Sequence, residues 1–508
     1  MNEIVIAKTY DLKDGDIKKV LVGKKKILLV RIKGAFHAVG GWCTHQRAPL
    51  EEGILVGERL FCPWHQACFN PTTGGVEEPP SIDGLPHFDI RIDGEDVIVK
   101  IPDEIPYQQT PVMAKRNIKD NRTFVIAGGG AAGNMAAQTL RQDGFEGRII
   151  MICRENNLSY DRTELSKKYL KQKKADFSRI LLRPETFYRE NDIETILGKQ
   201  ITDVRVSEKN VTLNTGEIIS YDSLLLATGG EAATLCTEGC DLENIYYLRT
   251  INDAEKISDK IKTSSNVVII GAGFIGMEIA AILKSKGLSV TIVAPGSVPF
   301  ERNFGVQIGE MVKQLFEEQG IVFKFKRALC KFEGAGKVER VVLDNGEKLD
   351  ADIVIAGIGA KLSTDFLKEI PVGKDKSITV DKYLNVTDSI YAAGDIARFP
   401  DWRNGNMIRI EHWRLAQQHG IVAAHNMLGK QIEFKSVPFF WTDLFSIRIQ
   451  YVGHVGPWDE IIFKGEPMTR KFIAYYVKGG KVLAVAGCGY EAEMSAIAEL
   501  MRADKPLL

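Results

Sequence analysis

Two short segments near the N-terminus each bring one cysteine close to one histidine. Cys43 and His45 are separated by one residue, and Cys62 and His65, which follow residues 46–61, are separated by two. Thiolates and imidazoles are common protein ligands of zinc and of iron–sulfur clusters. The spacing therefore predicts a metal centre held between two loops.

Two kinds of centre accept two thiolates and two imidazoles. In a Rieske 2Fe–2S centre two cysteines bind one iron and two histidines bind the other. A structural zinc ion accepts the same donors, but zinc fingers usually group cysteine with cysteine and histidine with histidine. Because each segment contributes one donor of each kind, we favour the Rieske centre, with zinc as the alternative.

Two further segments, Phe124–Gly133 and Val267–Gly276, combine an apolar run with a glycine-rich turn and then favour a helix. Such a turn lets the pyrophosphate of a dinucleotide approach the backbone, and the helix N-terminus attracts its charge. Two turns in one chain predict two dinucleotides, one permanently bound as a cofactor and one that binds and dissociates as a substrate. The glycines assigned to these turns are Gly128, Gly130, Gly133, Gly271, Gly273 and Gly276.

The strand after each turn indicates how the nucleotide is recognised. The first such strand leads to Glu155, and a carboxylate there accepts hydrogen bonds from a ribose diol. The second ends in Ala294 and Pro295, where NADH enzymes usually have an acid. Because no arginine cluster follows directly to bind a 2′-phosphate, NADH and NADPH both remain open and NADH is favoured. Gly359 is expected close to the nicotinamide ring.

The composition excludes several classes of protein. The chain has 508 residues, 44% hydrophobic and 26% charged, and its formal net charge is zero. This balance argues against a dedicated binder of nucleic acid or of membrane surfaces. With no apolar run near about 18 residues and no signal-peptide pattern, we expect a cytoplasmic protein without a membrane span. Its eight cysteines are too few for a disulfide framework, and we expect Cys153, Cys330 and Cys488 to be buried in the core.

The pattern along the chain predicts a multidomain fold. Short alternating strands predict an N-terminal all-β domain, and strands that alternate with helical segments predict two α/β Rossmann-like domains. A last group of strands followed by an amphipathic helix predicts an α+β end domain. The expected ranges are 1–102 for the Rieske domain, 103–121 for a linker, 122–248 and 376–431 for the two parts of an FAD-binding domain, 249–375 for an NAD(P)-binding domain and 432–508 for the C-terminal domain.

Taken together, these motifs resemble those of the apoptosis-inducing-factor-like flavoproteins that carry an N-terminal Rieske domain. The flavoprotein part is also similar to the ferredoxin reductases of oxygenase systems, and the resemblance covers nearly the whole chain. It implies that Lys167 lies near flavin N5, Arg249 at the FAD phosphates or ring, and Asp395 at the ribityl chain. The residues it implies along the FAD are Arg162, Lys167, Thr228, Gly229, Arg249, Gly394, Asp395, His412 and Trp441.

The Rieske segment is similar to the ferredoxin-type members of its family. High-potential members have an extra cysteine in each loop, whereas Cys68 here has no counterpart in the first loop. Fewer hydrogen bonds to the sulfurs should place the potential toward the low end of the range of about −150 to +300 mV. Arg47 stands where these domains usually have glycine, so its loop geometry is open.

The resemblance also pairs Glu278, which follows the second glycine turn, with Lys167. In a dry cleft the carboxylate would keep the ammonium charged near flavin N5. There the ammonium could stabilise the negative charge of the reduced flavin and help seat the nicotinamide. We therefore assign Lys167 and Glu278 as the catalytic pair.

These assignments predict an NAD(P)H-dependent FAD oxidoreductase that passes electrons through a Rieske 2Fe–2S centre to an unknown protein or small-molecule acceptor. The sequence has no redox dithiol after Tyr160, where disulfide reductases place one, so the flavin must deliver its electrons elsewhere. The alternative is a redox-sensing or signalling flavoprotein with slow turnover. A homodimer is compatible with the sequence, and no nucleic-acid partner is expected.

Overall fold

The computed structural model describes residues 2–172 and 176–507, so residues 1, 173–175 and 508 of the predicted domain ranges lie outside the described part. Residues 2–101 form three small antiparallel sheets. The third of these contains Ile54–Val56 and Arg59–Phe61, and the metal-ligand loops lie beside it. The strands are Asn2–Lys8, Ile17–Val22, Lys25–Ile32, Ala35–Gly40, Ile54–Val56, Arg59–Phe61, Cys68–Phe69, Val76–Glu78, His87–Phe88, Ile90–Asp93 and Asp96–Ile101.

Strand Lys25–Ile32 is the central element of this N-terminal domain because both of its faces are buried. Successive side chains of a strand point to opposite faces. Leu28 and Val30 pack into the core that contains Cys43 and Cys62. Ile27 and Leu29 pack into a second core with Val97 and Val99. The metal-ligand loops are thus held on a strand that is fixed from both sides.

The first α/β domain is built on a six-stranded sheet. Its strands, in spatial order, are Ile193–Leu197, Arg148–Cys153, Thr123–Ala127, Ser223–Leu226, Ile390–Ala392 and Asn385–Thr387. Late residues join this sheet because Ile390–Ala392 pairs in parallel with Ser223–Leu226. Helices Ala131–Gln142 and Trp413–Met427 pack together so closely that a Cβ on Gly420 would lie 2.1 Å from the carbonyl oxygen of Ala132.

The second α/β domain has a five-stranded parallel sheet with strands Ile245–Tyr246, Ile353–Ala356, Asn266–Ile270, Ser289–Ala294 and Val322–Phe325 in spatial order. Its helices are Ile251–Lys260, Phe274–Ser285, Glu301–Phe304 and Val306–Glu318. Short strands connect or flank the two domains: Ile201–Arg205, Asn210–Leu213, Ile218–Ser220, Gly230–Ala232, Leu329–Glu333, Arg340–Leu343, Lys348–Asp350, Ala360–Leu362, Ile378–Thr379, Ala397–Pro400 and Met407–Ile408. Helix Glu185–Glu190 and a π-helical turn at Leu165–Tyr169 complete this part.

The C-terminal domain is an antiparallel sheet covered by one helix. Its strands, in spatial order, are Phe439–Leu444, Ile447–Gly453, Lys481–Cys488, Lys471–Lys478 and Glu460–Glu466, and its helix is Glu491–Arg502. This helix coincides with the amphipathic segment predicted at the end of the chain. The four architectures together confirm the predicted fold class.

One expectation about the cysteines is wrong. Cys153 and Cys488 are buried as predicted, but Cys330 is exposed. It lies on strand Leu329–Glu333 of a small three-stranded sheet, which has one face on the core and one toward solvent. From the apolar residues beside Cys330 alone, a strand with one solvent-exposed face cannot be distinguished from a fully buried strand. In the part of the chain that the structure describes, no helix combines the length and apolar character needed to cross a membrane.

Candidate redox site

The two metal-ligand loops have the same backbone geometry. Cys43 N–H donates to Ala48 O at 2.9 Å, and Cys62 N–H donates to Ala67 O at 2.9 Å. The residue before each of these alanines has a left-handed backbone, with φ of +59° at Arg47 and +61° at Gln66. Arg47 therefore adopts the conformation that glycine would supply, and the first loop keeps the shape of the second.

The four predicted metal donors meet as two pairs at the tips of these loops. The Nδ1 atoms of His45 and His65 are 3.1 Å apart, close to the roughly 3.0–3.4 Å expected for two imidazole nitrogens that share one metal at about 2.1 Å. The thiols of Cys43 and Cys62 are both buried and influence each other's pKa. A thiol pair beside an imidazole pair fits the divided ligation of a Rieske 2Fe–2S cluster.

The environment of His65 and Cys62 favours the states that bind a metal, whereas the burial of Cys43 opposes its thiolate. Burial, followed by the electrostatic influence of His45 and Arg448, lowers the pKa of His65 well below its ordinary value, so its imidazole is neutral. Burial raises the pKa of Cys43. For Cys62, the hydrogen bond with Cys43 and the backbone N–H groups of Trp64 and His65 outweigh burial and lower the pKa. A neutral imidazole and a thiolate are the forms that coordinate iron.

A cavity of about 820 Å³ lies between the two α/β domains and the C-terminal domain. Helices Ala131–Gln142 and Phe274–Ser285 both begin at its wall, at Gly130 and Gly273, without a side-chain cap in either described terminus. The predicted residues that line it are Gly128, Gly130, Glu155, Arg162, Lys167, Thr228, Gly229, Arg249, Gly273, Glu278, Gly359, Gly394, Asp395, His412 and Trp441.

The glycines of the two turns have different tasks. A Cβ on Gly130 or Gly273 would meet no atom within 4 Å, so these positions face open space where a pyrophosphate can approach uncapped N–H groups. A Cβ on Gly133 would lie 1.9 Å from Gly128 O, and one on Gly276 would lie 2.4 Å from Gly271 O. Gly133 and Gly276 therefore allow the helix to pack on the strand, and the cavity fits FAD and NAD(P)H.

Glu155 is held at the cavity wall by two neighbours. Its carboxylate accepts hydrogen bonds from Tyr160 Oη at 2.6 Å and from Arg162 Nη2 at 2.7 Å. Tyr160 Oη in turn accepts from the backbone N–H of Ile251 at 3.1 Å. Each carboxylate oxygen can accept a further hydrogen bond, so Glu155 retains the capacity to bind a ribose diol.

Arg249, predicted at the FAD phosphates or ring, and Asp395, predicted at the ribityl chain, lie next to each other. Arg249 Nη2 is 3.1 Å from Asp395 Oδ2, and Arg249 Nε donates to Gly230 O at 2.9 Å. Asp395 follows Gly394, whose N–H donates to His419 Nδ1 at 3.2 Å. The pair brings one positive and one negative group to the same section of the cavity wall.

Lys167 and Glu278 form an ion pair, with Lys167 Nζ 3.0 Å from Glu278 Oε2. The same oxygen accepts from Ser166 Oγ at 2.6 Å, and Oε1 accepts from Thr442 Oγ1 at 3.0 Å. Burial disfavours the ammonium, but the charge of Glu278 outweighs this and raises the pKa of Lys167. The cavity therefore holds a protonated lysine.

Trp441 lies between the cavity and the metal donors. Its ring centroid is 4.3 Å from that of His65 and 6.4 Å from that of His45, and the residue also lines the cavity. His412 packs on the same indole at 5.6 Å. Burial, with the charges of Lys167 and Arg414, lowers the pKa of His412 to about 3, so its imidazole is neutral.

Two ion pairs fix the N-terminal domain to the first α/β domain. Arg183 Nη1 is 2.7 Å from Asp83 Oδ2, and both side chains are about 5% exposed or less. Arg414, on helix Trp413–Met427, forms an ion pair with Glu78 and donates from Nε to Pro79 O at 2.8 Å. Buried pairs of this kind fix geometry, because separating the partners leaves an uncompensated charge.

The second metal-ligand loop also contacts the C-terminal domain directly. Gln450 Nε2 donates to Pro63 O at 2.9 Å and to Trp64 O at 3.1 Å. Ser495 Oγ donates to Gln66 Oε1 at 3.0 Å. The loop that carries Cys62 and His65 is therefore docked on the sheet that carries Trp441.

The strand after the second glycine turn ends without the acidic residue that NADH enzymes usually have there. Glu301 Oε2 accepts from the backbone N–H of Ser297 at 2.9 Å, just beyond the strand that ends at Ala294. Gly359 has φ of +107°, and a Cβ there would meet no atom within 4 Å. Gly359 thus lines open space in the cavity, and Glu301, the first carboxylate in sequence beyond the strand, already binds backbone.

Sequence analysis missed several residues that hold the site. Ser166 and Thr442 bind Glu278, Tyr160 binds Glu155, and His419 binds the backbone of Gly394. Ser166 directly precedes Lys167, and Thr442 directly follows Trp441, so their position next to predicted site residues could have identified them. Nothing in the sequence indicates His419, because it meets Gly394 only after helix Trp413–Met427 packs on the sheet.

Three family models together match most of the chain. Residues 122–420 match the pyridine nucleotide-disulphide oxidoreductase family, residues 2–89 match the Rieske [2Fe-2S] domain, and residues 439–507 match the reductase C-terminal domain. The first match alone covers more than half of the 508 residues. These matches confirm the predicted cofactors, which are FAD, NAD(P)H and a Rieske 2Fe–2S cluster.

Relatives and solved structures agree with the family models. The chain is 37% identical to apoptosis-inducing factor 3 of Homo sapiens, over 99% of this chain and 85% of that protein. It is 34% identical to a rubredoxin-NAD(+) reductase of Pseudomonas putida, over 69% of this chain and 92% of that protein. The crystal structure of the ferredoxin reductase for the CYP199A2 system from Rhodopseudomonas palustris matches with a TM-score of 0.73 and 30% identity, over 76% of this chain and 96% of that one.

The predicted enzyme class is thereby confirmed, because the relatives include a rubredoxin-NAD(+) reductase and the matched structure is a ferredoxin reductase. The chain is an NAD(P)H-dependent flavoprotein oxidoreductase of the ferredoxin-reductase type. It belongs to the pyridine nucleotide-disulphide oxidoreductase family, as an apoptosis-inducing-factor-like FAD oxidoreductase with an N-terminal Rieske 2Fe–2S domain.

Proposed function

We propose that this protein transfers electrons from NAD(P)H, by way of FAD, to its own Rieske centre and then to a separate one-electron acceptor. Each NAD(P)H yields NAD(P)⁺, one proton and two electrons, and two acceptor molecules take one electron each. When bound, FAD supplies the conversion of one hydride into two single electrons. The acceptor is a protein or small molecule that the fold does not itself contain.

The position of Trp441 carries this proposal. Its indole lines the cavity and packs on His65 with ring centroids 4.3 Å apart, so one side chain contacts both the predicted flavin site and a predicted cluster ligand. Gln450 and Ser495 hold the ligand loop in that position. The cluster site therefore lies one aromatic side chain away from the cavity.

The residues around the cavity have separate tasks in this proposal. Gly130 and Gly273 expose helix N–H groups to the two pyrophosphates, and Glu155 binds a ribose diol. Lys167 keeps its proton because Glu278 raises its pKa, so it presents a positive charge where hydride arrives. The neutral imidazole of His412 and the ring of Trp441 exclude water from the side facing the cluster.

The domain division supports the same route. We propose a Rieske domain at 1–102, a linker at 103–121, an FAD-binding domain at 122–248 and 376–431, an NAD(P)-binding domain at 249–375 and a C-terminal domain at 432–508. In support of this division, the sheet of the first α/β domain takes strands from both proposed FAD segments. The cavity is lined by residues from both α/β domains and the C-terminal domain.

We propose NADH as the preferred nucleotide. The strand after the second glycine turn ends in Ala294, and the nearby Glu301 carboxylate already accepts a backbone hydrogen bond. A carboxylate just beyond this strand opposes a 2′-phosphate more than a 2′-hydroxyl, and Arg302, which lines the cavity, is a single cation and not an arginine cluster. The ratio of kcat/KM for NADH to that for NADPH measures the preference, and a ratio below one would contradict it.

The fused Rieske domain takes the place of a separate ferredoxin in this proposal. A related structure, at 30% identity and a TM-score of 0.72, is described as the covalent putidaredoxin reductase-putidaredoxin complex. In the present chain, Arg183–Asp83 and Arg414–Glu78 hold the N-terminal domain on the reductase. A ferredoxin-type or rubredoxin-type protein is then the next acceptor, as the names of the relatives suggest.

Anaerobic mixing of the purified protein with NADH tests the proposal. Flavin absorbance should bleach first, and the EPR signal of a reduced Rieske cluster should follow. Replacing Trp441 with alanine should slow the second phase more than the first. A cluster that stays oxidised while the flavin is reduced would contradict the proposed route.

The similarity to apoptosis-inducing factor 3 favours a second candidate, in which slow reduction signals the redox state of the nucleotide pool. Steady-state turnover with ferricyanide and the lifetime of the NAD⁺ complex of the reduced protein separate the candidates. Rapid turnover supports the reductase. Slow turnover with a long-lived complex supports the sensor.

A further inference from the structure

Strand Phe439–Leu444 separates the nicotinamide side of the molecule from the cluster side. Its side chains alternate between two faces. Phe440 and Leu444 pack into the core formed with helix Phe274–Ser285. Phe439 and Trp441 pack into a different core on the opposite face. A displacement of this strand therefore changes the contacts on both sides at once.

Thr442 connects this strand to the Lys167–Glu278 pair. Thr442 is fully buried and Glu278 is 5% exposed. Glu278 Oε1 accepts from Thr442 Oγ1 at 3.0 Å, while Oε2 accepts from Ser166 Oγ at 2.6 Å and Lys167 Nζ at 3.0 Å. The carboxylate is thus held on one oxygen by the first α/β domain and on the other by the C-terminal domain.

We propose that Thr442 is a positioning residue for electron transfer. Its hydroxyl bond to Glu278 fixes the strand, and the strand fixes the neighbouring Trp441 against His65. The proposal rests on the proposed function only in assigning electron transfer to Trp441. The geometric part, in which Glu278 sets the position of Trp441 through Thr442, stands on the hydrogen bonds alone.

The physical reason is that the Thr442 hydroxyl is fully buried where it meets Glu278. Without the hydroxyl, one oxygen of a buried carboxylate loses its partner, and such groups rearrange to recover one. Glu278 or the strand must then move. Electron transfer falls steeply with distance, and misplacing reacting groups by about 1 Å can reduce a rate by roughly a hundredfold.

The test compares Thr442→Val, which removes the donor at similar volume, with Thr442→Ser, which keeps it. The oxidised holoprotein is labelled with 5-fluorotryptophan, and the ¹⁹F resonance of Trp441 is assigned among the six tryptophans with Trp441→Phe. We expect Thr442→Val and Glu278→Leu, which removes both acceptor oxygens, to shift this resonance in the same direction, and Thr442→Ser to leave it in place. The double variant Thr442→Val/Glu278→Leu should show no more shift than Glu278→Leu alone, because Glu278→Leu already removes the bond that Thr442 makes.

The matched control is Thr364→Val. Thr364 is also buried, and its Oγ1 donates to Lys376 O at 2.8 Å, but it lies outside the strand of Trp441. This control should leave the Trp441 resonance unchanged even if it lowers stability. An unchanged resonance in Thr442→Val, or an equal shift in the control, would overturn the proposal.

A kinetic arm measures the consequence for electron transfer. In anaerobic mixing with NADH, Thr442→Val should slow reduction of the cluster by about tenfold relative to bleaching of the flavin, and Thr442→Ser should restore the ratio. If wild-type cluster is not reduced at all, the proposed function fails while the ¹⁹F result still decides the role of Thr442. If the resonance shifts but the rate ratio is unchanged, Thr442 does not position Trp441 for electron transfer.

Discussion

Replacing Glu78 with alanine should loosen the Rieske domain from the reductase. Glu78 lies on strand Val76–Glu78 of the N-terminal domain and pairs with Arg414, which is 2% exposed and belongs to the first α/β domain. Its carboxylate also accepts from Gln418 Nε2 at 3.0 Å. The substitution leaves the Arg414 guanidinium buried without its counter-charge.

The size of the effect follows from the burial of the pair. Removing one partner of a buried ion pair costs about 3–5 kcal/mol. We take about 3 kcal/mol, because the Glu78 side chain retains 22% exposure and water can partly replace it. At 1.36 kcal/mol per factor of ten, docking weakens by roughly 150-fold.

Hydrogen exchange measured by mass spectrometry reports this opening as lost protection of the backbone amides in loop 61–69 and strand Phe439–Leu444. Stopped-flow mixing with NADH reports it as slower reduction of the cluster at an unchanged rate of flavin reduction. The matched control is Glu77→Ala. Glu77 is exposed and accepts from Arg59 Nη1 at 2.8 Å, and such surface pairs contribute about 0–1 kcal/mol.

The reasoning would be refuted if Glu78→Ala and Glu77→Ala showed the same exchange protection and the same rate of cluster reduction. That outcome would mean that Gln450, Ser495 and the Arg183–Asp83 pair hold the Rieske domain without help from Glu78.

Three further predictions concern the cavity. Glu278→Gln removes the largest charge that raises the pKa of Lys167, so burial should make that pKa lower than in the wild type; the rate of flavin reduction by NADH should then begin to fall at a lower pH than in the wild type, and identical profiles would contradict this. Burial lowers the pKa of His419 from 6.5 to about 3, so below pH 6.5 the unfolded state binds a proton that the folded state does not, and the free energy of unfolding falls by at most about 1.4 kcal/mol per pH unit. Urea unfolding between pH 7 and about pH 4 should therefore depend less on pH in His419→Gln than in the wild type. Identical pH dependence of the two proteins would contradict this prediction. Gly130→Ala should weaken FAD binding in titrations without lowering the melting temperature of the apoprotein. Gly133→Ala places a methyl group 1.9 Å from a carbonyl oxygen and should lower the free energy of unfolding by about 1–3 kcal/mol. Equal effects of the two variants on binding and stability would refute the separate roles of these glycines.

Much of the site was predictable because its chemistry is local in sequence. Cys43 with His45 and Cys62 with His65 are paired within single loops, so spacing alone indicates a metal centre. The glycine turns are equally local, because the strand, the turn and the helix start that bind a pyrophosphate are contiguous. Lys167 and Glu278 are distant in sequence, and their pairing was predicted only through a family resemblance.

Other features were not predictable because they depend on packing between domains. Cys330 lies in an apolar stretch, but only the orientation of its small sheet exposes it. His419 accepts a hydrogen bond from Gly394 because one helix packs across the sheet. No pattern of residue types encodes either contact.

The sequence by itself determined which groups can do the chemistry: two thiols and two imidazoles on two loops, two glycine turns, a lysine and a carboxylate. Only the tertiary structure decided how these groups face one another. Trp441 lies between the cavity and His65, and Thr442 reaches Glu278, because the strand that carries both residues is wedged between two domains. Residue types and short spacings set what a side chain can bind, whereas the docking of separately formed domains sets which side chains meet.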